Sequence, residues 1–314
     1  MKELELTLML ADYDRTRPIL SGEVAVKGIK LAPRQAVPGE ACLRPVYEEF
    51  DIAEMSLSWY VMARCRGEPV IALPVFPMRM FIHPYLFCSS SSDIRAPEDL
   101  KGKRVGMDQY RLTVGLWARG ILREFYGVDP EEMLWLTSEP EGARFQPPNG
   151  ARLAVQEQSV ESLLLKGEID ALIAPNVPPS FRSGDPRIRR LFGDCRAAVT
   201  EYFHKTRIFP ITHTVVLRES LIADQPWIVG NLINAFSEAE KVCRSAYEYP
   251  KRLAFPSAVL ILEEEEERFG KDPFQHGLTT QNQMVLEKFL QYAEEQGYVQ
   301  FRPKLTELFA PAGN

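Results

Sequence analysis

The sequence predicts an α/β protein built as two interleaved lobes. Strand-like and helix-like patterns alternate along most of the chain, which favours a helix-flanked sheet over an all-β sandwich. At 314 residues the chain exceeds one ordinary domain and suggests about two. No Pro-, Gly- or Ser-rich linker divides it at the midpoint. The chain is therefore expected to leave one lobe, build another and return. The lobes are expected at 1–89 plus 214–314 and at 90–213, with a cleft between them where ligands commonly sit.

Each element has a local reason. Leu4, Leu6, Leu8 and Leu10 alternate with Glu5, Thr7 and Met9, the period of a strand with one better-buried face. GEVAVKGIKLAP, 22–33, carries two short extended runs around Gly28, a hairpin or a strand pair. FDIAEMSLSWYVMARC, 50–65, begins as a buried strand and passes into a helix, and PVIALPVF and HPYLFCSS read as further apolar strands. A polar loop through Pro97 and a short helical turn precede a strand from Arg104 to Met107. In TVGLWARGILREFYGV, Trp117, Ile121 and Phe125 form one helical stripe, and Gly127 suits the helix end. MLWLT is a strand, 138–152 the longest loop, and SVESLLLKGEIDALIAP a helix, a Gly stop and a buried strand. FPITHTVVL is a strand, and PWIVGNLINAFSEAEKVCRSAYEY a long helix. The five glutamates at 263–267 suit a solvated helix face or a frayed end. Val285, Leu286, Phe289, Leu290 and Ala293 mark a last helix ending at Gly297.

Composition excludes several classes. Lys plus Arg number 37 against 43 Asp plus Glu, a net charge of −6, which argues against a nucleic-acid partner and a broad basic face. No apolar stretch approaches the ~20 residues that span a bilayer, so no membrane partner is expected. Glu3 and Glu5 interrupt what would be a secretory core in MKELELTLML, so a cytoplasmic location is expected. The five cysteines show no CxxC and no zinc-ligand spacing, and are read as reduced thiols. No phosphate loop, nucleophile elbow or HExxH is present. Two or three histidines with Glu54 could hold a divalent metal in principle, but no short ligand spacing supports one, and no metal site is assigned. A homo-oligomer stays open, because no heptad demands one.

Two segments carry a fold resemblance. PEDLKGKRVGM with its following helix, and ESLLLKGEIDALIAP, resemble signatures of the type II periplasmic-binding-protein fold. A narrower resemblance spans most of the chain. YDRTRPILSGEVAVKGIKL, FDIAEMSLSWYV, FPMRMFIHPYLF, TVGLWARGILREFYGV, IFPITHTVVLRESLI and DPFQHGLTTQNQMVLEKFLQYAEEQG occur in an order similar to that of the 4,5-dihydroxyphthalate decarboxylase family. Two positions depart from the family pattern. Ile82 stands where the family has the Arg of Phe-Arg-His, and Gln283 where it has an Arg after Asn. Fewer arginines imply a substrate with fewer carboxylates, or a different reaction.

The residues themselves offer candidates. Tyr13, Asp14 and Arg15 follow the first strand: Arg15 suits a carboxylate clamp and Asp14 a base for a phenol, or the three form an ordinary turn. Glu54, Ser56 and Ser58 point one way if the segment is extended; if it is helical, Ser58 diverges and Ser56 can cap. Arg79 and His83 need partners in an apolar stretch, which a bound anion or the core would supply. Thr113 lies near a helix start that favours an anion, with Arg111 as a second cation. Thr212 and His213 lie on the strand returning to the first lobe, where His213 is the best single acid–base candidate or a structural histidine. His204 and His276 have weaker claims, and Trp117 suits the core.

The family resemblance implies decarboxylation of a hydroxylated aromatic carboxylate without a cofactor. A proton is delivered to the ring carbon bearing the carboxylate, and CO2 leaves as aromaticity returns. For that chemistry the candidates assign His213 or His83 as acid, Asp14 or Glu54 as base, and Arg15 and Arg79 as clamps. Tyr13, Ser56, Ser58, Arg111, Thr113 and Thr212 would contact the substrate. The alternative is a non-catalytic solute-binding protein that closes on a small aromatic or other organic anion. A transport receptor would additionally require export.

Overall fold

The computed structural model describes residues 3–36, 46–141, 145 and 151–311. The chain forms two compact units: Met1–Arg79 with Ile211–Glu287 and Pro303–Asn314, and Met80–Pro210 with Lys288–Arg302.

The first unit holds strands β1 (Leu4–Ala11), β2 (Ile29–Ala36), β3 (Ile52–Ser56), β4 (Val70–Leu73) and β11 (His213–Arg218), in the order β2-β1-β3-β11-β4. β1 runs parallel to β2 and β3, whereas β11 is antiparallel to both β3 and β4. Leu6, Leu8 and Leu10 pack with Ile52, Val215 and Leu217 against Ile228, Leu232 and Phe236 of the helix Trp227–Tyr247. The alternation read in the sequence thus buries one sheet face under an amphipathic helix. Residues 22–36 do not form a hairpin. They contribute one strand, Ile29–Ala36, parallel to β1, and a parallel neighbour cannot be joined by a tight turn.

The second unit holds β5 (Leu86–Ser89), β6 (Arg104–Met107), β7 (Leu134–Thr137), β8 (Arg152–Val155), β9 (Ala171–Ile173) and β10 (Ile188–Arg190), in the order β10-β5-β9-β6-β7-β8. Phe87, Leu163, Leu164, Ile169, Leu172 and Ile188 form its core. β5 was expected in the first lobe but pairs with β9 and β10, so the units divide after Arg79 rather than after 89. On the return, Ile211, Thr212 and His213 already belong to the first unit, because β11 pairs with β3 from His213 onward. The last helix, Thr280–Glu295, supplies residues to both units.

The helix Thr113–Tyr126 ends at Gly127, whose φ of 60° is the left-handed turn that glycine adopts without steric cost. The glutamate run lies within the helix Ala258–Phe269, with Glu263, Glu265, Glu266 and Glu267 exposed. Residues 142–144 and 146–150 of the long loop, and Cys42, lie outside the described residues. Cys65, Cys88, Cys195 and Cys243 are free thiols. Among the described residues no helix is long and apolar enough to cross a membrane.

Candidate active site

Three strands of the first unit converge on one buried carboxylate. β3 lies between β1 and β11, and all five of its residues are buried. Glu54 stands on it among apolar neighbours at 1% exposure. A carboxylate so placed needs several donors to remain charged, and the fold supplies three. The backbone N–H of Ala11, at the end of β1, donates to Oε2 at 3.0 Å. The Tyr13 hydroxyl donates to Oε1 at 2.9 Å. Nδ1 of His213, at the start of β11, lies 2.5 Å from the same oxygen. Burial pushes the Glu54 carboxyl up, but the bond and charge of His213, the Ala11 amide and the Tyr13 hydroxyl together hold it below the usual range.

The register explains this meeting. β11 pairs with β3 so that His213 faces Ser56 and Val215 faces Glu54. His213, Val215 and Leu217 share a parity, so the face that packs the core carries the imidazole at one end. Met78 closes the cluster: its carbonyl accepts from the Thr212 hydroxyl at 3.0 Å and from the His213 N–H at 3.2 Å. Its sulfur lies 3.4 Å from the Tyr13 hydroxyl.

Arg15 sits beside this group. Its Nε donates to the Pro77 carbonyl at 2.5 Å, and Nη1 lies 3.0 Å from Asp14. The guanidinium carbon is 4.4 Å from the Tyr13 ring centre and 4.6 Å from that of Phe274. The Tyr247 hydroxyl donates to Asp14. Burial raises the Asp14 carboxyl, but the Tyr247 hydroxyl and Arg15 outweigh it, so Asp14 sits low.

Arg79 is buried and held by neutral groups. Nη2 donates to the Gln275 carbonyl at 2.9 Å and to Asn282 Oδ1 at 2.7 Å, while its buried Nε has no acceptor. Burial lowers this guanidinium to about 10. Asn282 in turn donates to the carbonyls of Gln275 and Gly277. His276 accepts the Phe76 N–H at Nδ1 over 3.2 Å, and burial and the Arg79 charge push it down to about 3, so it stays neutral.

Tyr13, Asp14, Arg15, Glu54, Thr212 and His213 thus form one group in the first unit, and Arg79 lies in the same unit. Ser56 ends β3 at the N-cap position of the helix Leu57–Cys65 and makes no side-chain cap bond. Ser58 is buried in that helix. The extended alternative for Glu54, Ser56 and Ser58 therefore holds only as far as Ser56.

The other candidates belong to the second unit. His83 is 1% exposed between Phe192 and Tyr202, with ring centres 5.0 and 5.2 Å away. Neither of its nitrogens has a hydrogen-bond partner, and burial lowers it to about 4. A neutral imidazole sealed among rings is a poor proton donor, which corrects the expectation that it serves as an acid. Arg111 Nε lies 3.8 Å from Glu141, which also accepts the N–H groups of Tyr110 and Arg111. Thr113 opens the helix Thr113–Tyr126 and is buried. Trp117 is fully buried against Phe289 and Tyr292, as its stripe predicts. His204 is exposed. Among the described residues, no group of three or more His, Cys, Asp or Glu is placed to hold a metal ion.

Sequence reasoning missed Asn282, Met78 and Phe274. Asn282 lay within a quoted motif, but its bond to Arg79 spans 203 positions. No local pattern reports such a pairing.

No family model matches the chain. It is 33% identical to a 4,5-dihydroxyphthalate decarboxylase of Comamonas testosteroni, over 99% of this chain and 98% of that one. The chain belongs to the 4,5-dihydroxyphthalate decarboxylase family. A Pseudomonas putida enzyme of the same name is 32% identical over 65% of this chain and 83% of its own length. Among solved structures, the periplasmic aliphatic sulphonate binding protein SsuA of Escherichia coli aligns with a TM-score of 0.60. That alignment covers 98% of this chain and 92% of SsuA at 13% identity. The desulfurization enzyme DSZB aligns at 0.56 and 14% identity, over 98% of this chain and 97% of its own. These likenesses give the fold, which is that of periplasmic binding proteins of type II.

Proposed function

We propose that this chain decarboxylates a hydroxylated aromatic carboxylate of the 4,5-dihydroxyphthalate kind, without a cofactor, using His213 as the proton donor. The observation that carries the reading is the 2.5 Å contact between His213 Nδ1 and the buried Glu54. A carboxylate at Nδ1 fixes the tautomer, orients the ring and stabilises the imidazolium, so proton transfer falls to Nε2.

The chemistry follows from charge. A ring oxygen that gives up its proton pushes electron density onto the carbon bearing the carboxylate. His213 transfers a proton to that carbon, the bond to the carboxylate breaks, and its electron pair restores the aromatic ring as CO2 leaves. Asp14, kept ionised beside Arg15, is assigned the phenol proton. Glu54 is assigned to hold His213 rather than to act as base, because it is buried at 1% exposure and already faces the imidazole Nδ1, whereas the Asp14 side chain is 47% exposed. Arg15 and Arg79 are assigned to the substrate's carboxylates, Arg79 through the edge that carries its unpartnered Nε. Desolvation of the departing carboxylate adds to the rate.

Incubation with 4,5-dihydroxyphthalate, following CO2 and the dihydroxybenzoate left behind, tests the reading. Release of both in equal amounts supports it. Ligand-induced stabilisation without CO2 would replace it with the solute-binding alternative.

A further inference from the structure

In the second unit, a cavity of about 640 Å³ opens along β10, the edge strand of the six-stranded sheet. Its lining brings together Arg95, Arg189 and Arg190 with Phe181 and Phe192. The three guanidiniums are satisfied only in part, and by neutral groups. Arg95 Nη1 donates to the carbonyls of Ser92 and Ile94 at 3.1 and 3.0 Å. Arg189 Nη2 donates to the Ile94 carbonyl at 2.5 Å, and Nη1 to the Arg190 carbonyl at 3.4 Å. Arg190 lies 4.9 Å over the Phe181 ring, and its buried Nε has no acceptor.

None of the three pairs with a carboxylate among the described residues. The contrast with their neighbours is informative in a chain of net charge −6. Arg187, two residues before Arg189, pairs with Asp185 at 2.7 Å, and Arg104 pairs with Asp170 at 2.9 Å. Three cations gathered without counter-charges repel one another, and a buried donor left without an acceptor is costly. A bound anion removes both costs.

We infer that this cavity binds a small organic anion with two or more carboxylates on a planar apolar body, an aromatic di- or tricarboxylate. The guanidinium forks suit carboxylates, Phe181 and Phe192 suit a ring, and the volume lies within the usual ~300–1,000 Å³ of small-molecule sites. The inference does not depend on the decarboxylase reading, since none of these residues takes part in the proposed chemistry.

Calorimetric titration of the full chain with phthalate in low-salt buffer tests it, using wild type, Arg95→Gln, Arg189→Gln/Arg190→Gln and His213→Asn. Near-ultraviolet circular dichroism checks the fold of each. Wild type and His213→Asn should share a binding event that the double variant weakens at least ~10-fold. Arg95→Gln, at an exposed position, should weaken the same event without disturbing the fold. Neutral phthalamide should not produce it. Arginine variants that bind phthalate as wild type does, or phthalamide that binds equally well, would overturn the assignment. So would the absence of any phthalate binding up to about 10 mM, the weak end of specific recognition.

Discussion

Glu54 is the residue on which the proposed site turns, and two substitutions separate its roles from those of His213. His213→Asn keeps a polar side chain of similar reach but removes the titrating nitrogen. Turnover should fall at least ~100-fold in a variant that keeps the near-ultraviolet circular dichroism of the wild type, and an unchanged rate would exclude His213 as acid. Glu54→Ala removes a shared acceptor of the Ala11 amide, the Tyr13 hydroxyl and His213 Nδ1. It should destabilise by at least ~1–3 kcal/mol, measured by urea unfolding. The pH dependence has a definite sign. The Glu54 carboxyl is lowered in the fold, so its stabilising contribution is present above the ordinary carboxylate pKa and is lost as pH falls through the lowered one. Glu54→Gln should therefore narrow the stability gap between neutral and acid pH. Glu54 was legible in the sequence as an acid in an apolar strand, and His213 as a histidine in another. Their contact was not, because it depends on a pairing between residues 159 positions apart.

At the scale of elements, helix packing and helix charge each make a prediction. In the helix Thr113–Tyr126, a Cβ at Gly120 would stand 2.2 Å from the Tyr292 ring, which is 1% exposed on the helix Thr280–Glu295. Gly120→Ala should cost about 1–3 kcal/mol through overpacking, seen as a lowered denaturation midpoint. On the helix Trp227–Tyr247, burial, then the hydrogen bond and charge of Asp272, push Glu240 up to about 7. Arg244 bonds Asp272 at 2.7 Å but stands 3.7 Å from Glu240. A carboxyl raised in the fold contributes stability that is complete below its ordinary pKa and is lost as pH rises through the raised one. Glu240→Gln should raise the melting temperature at about pH 8 and change it little at about pH 4. Equal shifts at both pH values would contradict that assignment. Most helices and strands were readable from periodicity, because 3.6- and 2-residue spacings are local. Of the hairpin or strand pair expected at 22–33 only one strand formed, because the same local pattern serves a strand whose neighbour is parallel, and only pairing decides direction.

For the whole molecule, the chain's returns decide which residues belong together. The segment after Pro303 comes back to the first unit, where Phe309 bridges to Ala72 and packs against Tyr60 and Phe76. The Tyr60 hydroxyl donates to the Leu308 carbonyl. Phe309→Ala should cost ~3–5 kcal/mol, measured by equilibrium unfolding, as for other buried rings. A loss below 1 kcal/mol would mean that the returning segment is dispensable.

Taken by itself, the sequence determined the α/β class, the type II fold, the family and most of the residues that meet around Glu54. Those are matters of period, composition and ordered motifs, which are written locally along the chain. Tertiary structure alone decided that β5 joins the second sheet, that His83 is sealed among rings, and that Arg79 is held by Asn282. It also gathered Arg95, Arg189 and Arg190 on one cavity without a counter-charge. Pairing, burial and the sharing of donors depend on residues far apart in sequence, and only the folded chain sets them side by side.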